Sequence, residues 1–84
     1  MTEKITVTVR LFGAFREYGE SVTFQVAPAI SVLDVKERLG KELGVKDTTL
    51  IHDSAIANDD EIIGNNAVLT QDSLLAILPP VCGG

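Results

Sequence analysis

The sequence has 84 residues and a net charge of −5, from 7 basic against 12 acidic side chains. That length suits one compact domain and is too short for two. The acidic balance argues against a nucleic-acid partner, because gripping phosphates takes clustered Lys and Arg.

Hydrophobic residues make up 45% of the chain, with no Trp, three Phe and one Tyr. This is a globular composition, and the core must be built from Val, Ile and Leu. Met1-Thr2-Glu3-Lys4 leads straight into an alternating pattern, with no apolar stretch behind a basic start, so no targeting signal is expected. The longest apolar run, Leu74 to Leu78, is far too short to span a membrane. One cysteine, Cys82, allows neither an internal disulfide nor a metal cluster. The expectation is a soluble cytoplasmic protein that binds no metal and no membrane. The acidic charge would favour basic partner surfaces, although solubility alone accounts for it equally well.

Ile5, Val7, Val9 and Leu11 alternate with Thr6, Thr8 and Arg10, the period of a strand with one buried face. A loop over residues 13–19 follows. Val22, Phe24 and Val26 then alternate with Thr23 and Gln25 as a second strand, antiparallel to the first. Pro28 closes it. Ser31 with Asp34 three residues on has the spacing of a capping box and predicts a helix start. Val32, Val35, Leu39 and Leu43 line one face of that helix. Asp34 with Arg38, and Glu37 with Lys41, are spaced for ion pairs along it. Gly40 weakens the helix by about 1 kcal/mol relative to Ala, and Gly44 stops it.

From Val45 to Ser73 the pattern is weak. Ser54-Ala55-Ile56-Ala57 predicts a short strand, closed by the turn Asn58-Asp59-Asp60-Glu61. Gly64-Asn65-Asn66 and Gln71-Asp72-Ser73 are further turn signals. Leu74 to Leu78 is apolar on both faces, which suits a central strand covered on both sides or paired between neighbours. Pro79-Pro80 ends it, since neither residue can donate to a ladder. The order predicts an α+β fold, a mixed sheet packed on one main helix.

Searches for familiar chemistry come up empty. There is no phosphate loop, nucleophile elbow or paired Cys and His spacing. The single histidine, His52, reads as a solvated residue in a loop or edge. Asp59-Asp60-Glu61 are adjacent rather than alternating as in a calcium loop, so they read as a solvated turn. The end of the chain differs. A stiff Pro-Pro is followed by Val81-Cys82 and then by Gly83-Gly84. Six residues from Pro79, if extended, reach about 20 Å. Without a Cβ, Gly83 and Gly84 can thread a channel that excludes any side chain, and they leave the last carbonyl open to attack.

With these residues in hand, the chain resembles the MoaD/ThiS family of ubiquitin-like sulfur carriers, in its molybdopterin branch. The resemblance is carried by Leu69-Thr70-Gln71-Asp72-Ser73 leading into Leu74–Leu78, and by the ending Pro79-Pro80-Val81-Cys82-Gly83-Gly84. Leu11-Phe12-Gly13-Ala14-Phe15-Arg16-Glu17 and Ala55-Ile56-Ala57-Asn58 add to it. It implies a β-grasp domain over residues 1–78 and a functional tail over residues 79–84. It also implies that an E1-like adenylyltransferase uses ATP to adenylate the Gly84 carboxylate, and that a sulfur donor protein converts it to a thiocarboxylate. The carrier itself would bind no cofactor and would not be an enzyme alone. Gly84, with Gly83, would deliver sulfur inside the large subunit of molybdopterin synthase, in a heterotetramer, to form the dithiolene of the molybdenum cofactor. Pro79, Pro80, Val81 and Cys82, with Phe12 and Phe15 as exposed apolar surface, would contact partners.

The chain departs from the family pattern at Gln71-Asp72-Ser73, where an Asp-Gly-Asp turn is usual, and at Cys82, where a small or hydroxylated residue is usual. Alternatives are a carrier serving thiamine, tRNA or cysteine thiolation, a ubiquitin-like protein modifier, and a plain interaction module.

Overall fold

The computed structural model describes residues 3–45 and 48–80. The strand β1 runs over Ile5–Leu11, and every odd position in it is buried while Thr6, Thr8 and Arg10 are not. A 3-10 helix follows at Gly13–Tyr18, then β2 at Ser21–Val26, antiparallel to β1 with Val7 opposite Phe24. The alternation of β-branched residues thus settles into the expected hairpin, with one face turned to the core.

A two-residue strand, β3 (Ile30–Ser31), leads into the main helix α1 (Val32–Leu43). The Ser31 hydroxyl accepts the Asp34 N–H at 3.1 Å, as the capping spacing predicts. The N–H groups of Val32 and Leu33 are taken up by the carbonyls of Ala67 and Asn65. Three of the donors that a helix start leaves unpaired are therefore satisfied within the domain. Gly44, in the left-handed region at φ +71°, closes the helix as expected.

The two anticipated ion pairs on α1 are replaced by others. Arg38 Nε lies 3.1 Å from Glu42 Oε2, while its guanidinium stands over the Phe24 ring. Glu37 Oε1 lies 3.0 Å from His52 Nε2. The cause is tertiary: His52 sits not in a loop or edge but on a second short helix, α2 (Thr49–Asp53), beside α1. Ser54, expected at the start of a strand, instead closes α2 by donating its hydroxyl to the Leu50 carbonyl at 2.6 Å.

Three further strands complete the fold: β4 (Ala55–Ala57), β5 (Ile62–Ile63) and β6 (Val68–Leu69), before β7 (Ser73–Leu78). The five-stranded sheet has the order β2-β1-β7-β4-β5, and β3 pairs with β6 separately. β7 is parallel to β1 and antiparallel to β4, so it is the middle strand of a mixed sheet. This is the β-grasp arrangement. Val32, Val35 and Leu39 of α1 join the inward residues of β1, β2, β4 and β7 in one cluster with Ile51 and Phe15.

The apolar run of β7 is central by pairing, but only one of its faces is closed. Leu75 and Ile77 are buried, whereas Leu74 is 48% exposed and Ala76 and Leu78 are half-buried. The face of the sheet away from the core cluster is open.

Candidate functional site

The site is built where the middle strand ends. β7 runs out at Leu78, Pro79 is half-buried and Pro80 is exposed. Val81, Cys82, Gly83 and Gly84, the core of the sequence-based site, lie outside the described residues. What the structure places is their point of departure. In the parallel pairing of β1 with β7, Leu11 stands opposite Ile77. Carried two residues further, that register brings Gly13 beside Pro79. A Cβ on Gly13 would lie only 2.5 Å from Pro79 Cγ. The bare Cα of Gly13, at φ +58°, forms a seat for the proline ring.

Phe12 and Phe15 part company. Phe12 keeps the parity of Thr8 and Arg10 and is half-buried on the open face. Two guanidiniums flank its ring, Arg10 at 5.6 Å and Arg16 at 5.9 Å from the centroid. Phe15 corrects the expectation of exposed apolar surface: it is 1% exposed and belongs to the core. The 3-10 helix folds back past the end of β1 and turns this aromatic inward, an outcome that strand parity cannot foretell beyond Leu11.

Beside Phe12 a groove of about 380 Å³ is lined by Thr8, Arg10, Arg16, Glu20 and Leu74, among others. A second, of about 220 Å³, runs across β7 toward Asn58 and Asp59 and again includes Arg10, Phe12 and Leu74. Neither arginine has a carboxylate at ion-pair distance among the described residues, and both guanidiniums stand beside the Phe12 ring in a largely polar groove that reaches exposed Leu74. Arg10, Arg16 and Leu74 were not singled out from the sequence. For Arg10 the signal was there, since it alternates with apolar Val9 and Leu11 on its strand; for Leu74 it was not, since the run it begins is apolar throughout.

The acidic run Asp59-Asp60-Glu61 is a turn organised by Asn58, whose Oδ1 accepts the N–H groups of Asp60 and Glu61, both at 2.8 Å. Among the described residues no group of three or more His, Cys, Asp or Glu side chains is placed to hold a metal ion. No helix among them is long and apolar enough to cross a membrane.

The sequence model of the ThiS family matches residues 9–84, from the end of β1 through the diglycine. The chain belongs to the ThiS family. This makes it one of the ThiS/MoaD-like, ubiquitin-like sulfur carriers, small domains that work with partner enzymes. No curated protein matches the sequence. Among solved structures, SAMP1 from Haloferax volcanii superposes with a TM-score of 0.73 at 20% identity, covering 94% of this chain and 99% of that one. A Pyrococcus furiosus protein assigned as molybdopterin converting factor, subunit 1, gives 0.72 at 20% identity, covering 92% and 99%. The N-terminal ubiquitin-like domain of the 4931431F19Rik protein gives 0.69 at 15% identity, covering 100% and 82%. At these identities the likeness shows the fold, which the family shares with ubiquitin-like domains.

Proposed function

We propose that this family member is the sulfur-carrying small subunit of a molybdopterin synthase, acting in the cytoplasm, with Gly84 as its working residue. The observation that carries the reading is that Pro79-Pro80, which Val81-Cys82-Gly83-Gly84 follow in the sequence, continues directly from the middle strand of the sheet. A tail rooted in a strand paired on both sides is held at its base while its last residues enter a partner. The chemistry requires activation first. A carboxylate is a poor electrophile, so an E1-like enzyme joins AMP from ATP to the Gly84 carboxylate. The mixed anhydride then has a good leaving group. A sulfur donor attacks the carbonyl, AMP departs, and a terminal thiocarboxylate remains. The bare Gly83-Gly84 backbone gives the attacking sulfur and the channel of the large subunit access that any side chain would block. Inside that subunit the thiocarboxylate gives its sulfur toward the dithiolene that holds molybdenum.

The open sheet face, with Leu74 and the Arg10–Phe12–Arg16 cluster, supports docking of the protein partners beside the tail. Its exposed apolar surface is what a partner would cover.

Intact-mass analysis of the chain purified from its own host tests the reading. Exchange of one terminal oxygen for sulfur is the expected result, together with a stable complex when the large synthase subunit is added. A branched peptide on a lysine of another protein would make the chain a modifier. Sulfur loading without binding to the large subunit would move it to thiamine, tRNA or cysteine thiolation.

A further inference from the structure

We infer that Gly13 is a positioning residue for the tail: its bare Cα seats the Pro79 ring and fixes the Pro79-Pro80 base from which the last residues follow. The inference rests on the sulfur-carrier reading for its consequence, and on the geometry for its mechanism. Pro79 and Pro80 have no N–H, so past Leu78 the described end of the chain can offer β1 no backbone donor. The contact of the Pro79 ring with Gly13 adds a constraint of shape there.

Three features make that contact stiff. The proline ring cannot swing aside as a flexible side chain would. Pro80 restricts Pro79 itself to extended conformations, so an error in its placement passes to every residue after it. Gly13 is held at φ +58° by the turn from β1 into the 3-10 helix, and L side chains rarely adopt that region. A Cβ there would stand 2.5 Å from Pro79 Cγ and 3.3 Å from Cδ. Relieving that overlap moves the ring by about 1 Å before ordinary carbon–carbon contact is reached.

Gly44 supplies a matched control. It too is left-handed, at φ +71°, but nothing lies within 4 Å of a Cβ built there. Gly44→Ala therefore carries the backbone strain without the collision. Gly13→Ala carries both. Misplacing a reacting group by an ångström can cost about 10- to 100-fold in rate. At matched folded fraction, Gly13→Ala is expected to slow sulfur loading at saturating carrier by about that factor. Gly44→Ala is expected to load like wild type. Pro79→Ala alone empties the seat and lowers the rate. In the double variant Gly13→Ala/Pro79→Ala the methyl introduced at position 13 can rest on the Cβ that remains at position 79, since Pro79 Cβ lies 3.8 Å from the Cβ position built on Gly13. Most of the rate should then return.

A readout independent of loading uses Cys82, the single cysteine of the chain. A nitroxide attached there broadens the amide resonances near it. Gly13→Ala and Pro79→Ala are expected to redistribute that broadening, and Gly44→Ala to leave it as in wild type. An unchanged footprint in both Gly13→Ala and Pro79→Ala, or equal loading of Gly13→Ala and Gly44→Ala, overturns the inference. A wild type that never loads sulfur, with a footprint that still moves, sinks the sulfur-carrier reading and keeps the positioning role. Should Gly13→Ala fail to fold, Pro79→Ala alone decides between the same two outcomes.

Discussion

Leu74 and Leu75 are consecutive on β7 and lie on opposite sides of the sheet, 48% and 2% exposed respectively. The same substitution should therefore have opposite consequences at the two sites. Leu75→Asp or Ile77→Asp buries an unpaired carboxylate, which costs several kcal/mol, in a domain whose whole stability is on the order of 5–10 kcal/mol. Both variants are expected to be unfolded by circular dichroism. Leu74→Asp should fold normally and lose its complex with a large synthase subunit in size-exclusion chromatography. A folded Ile77→Asp would remove β7 from the centre of the sheet, and a Leu74→Asp that still binds would remove the open face from the interface. Leu78, half-buried, falls between, so the apolar run alone overstates its burial.

Gly40 lies inside α1, where glycine costs about 1 kcal/mol relative to alanine. A Cβ there would meet Ile51 Cδ1 at 3.5 Å and Thr48 Cγ2 at 3.6 Å, ordinary contact distances. Gly40→Ala is accordingly expected to raise stability by about 0.5–1 kcal/mol, read as a higher urea midpoint with unchanged slope. A lower midpoint would mean that α2 packs against α1 more tightly than those distances allow.

Much of this architecture was legible, and the illegible part has a physical cause. The alternation of β1 and β2, the Ser31 cap and the Gly44 stop are local signals, strong because each is repeated or stereochemically constrained. β3, β5 and β6 have two residues each, too few to show a period of two. α2 has five, little more than one turn, and is held by packing rather than by amphipathicity. Phe15 went inward because a 3-10 turn, not a strand, carries it. At the candidate site, residue types alone drew attention to the tail, whereas the contact of Pro79 with Gly13 had no such signal. A contact between positions 13 and 79 depends on the parallel register of β1 and β7, and nothing local encodes that register.

Lys36 gives a prediction about pH. It is 4% exposed, and its Nζ donates to the His52 carbonyl at a long 3.4 Å. Burial pushes its pKa below the ordinary 10.5, with the Asp53 carboxylate partly opposing. Between that lowered folded value and 10.5 the unfolded chain binds more protons than the folded one, so this group's contribution to stability rises with pH across the window. Below both values the buried ammonium is a standing cost. Lys36→Met keeps the packed stem and removes the charge. It should be more stable than wild type at neutral pH, and the difference should narrow as the pH climbs through the window. Parallel urea titrations at several pH values check the sign. A difference that widens with pH would show that Asp53 outweighs desolvation.

The last prediction concerns Cys82, whose thiol stands two residues before the carbonyl that is to be activated. Attack on that carbonyl would close a ring of about ten atoms containing planar trans amides, far from a near-attack geometry. Cys82 lies outside the described residues. Cys82→Ser is expected to acquire the thiocarboxylate and to support dithiolene synthesis as wild type does. Adding one residue after Gly84 should abolish both, because the activated carbonyl would no longer belong to the diglycine that fits the channel. Truncation after Pro80 should abolish loading with little change in melting temperature, since every core residue found among the described residues is kept. The measurement is intact mass after incubation with the activating enzyme, ATP and a sulfur donor. A folded Cys82→Ser that gains no sulfur would make the thiol a participant.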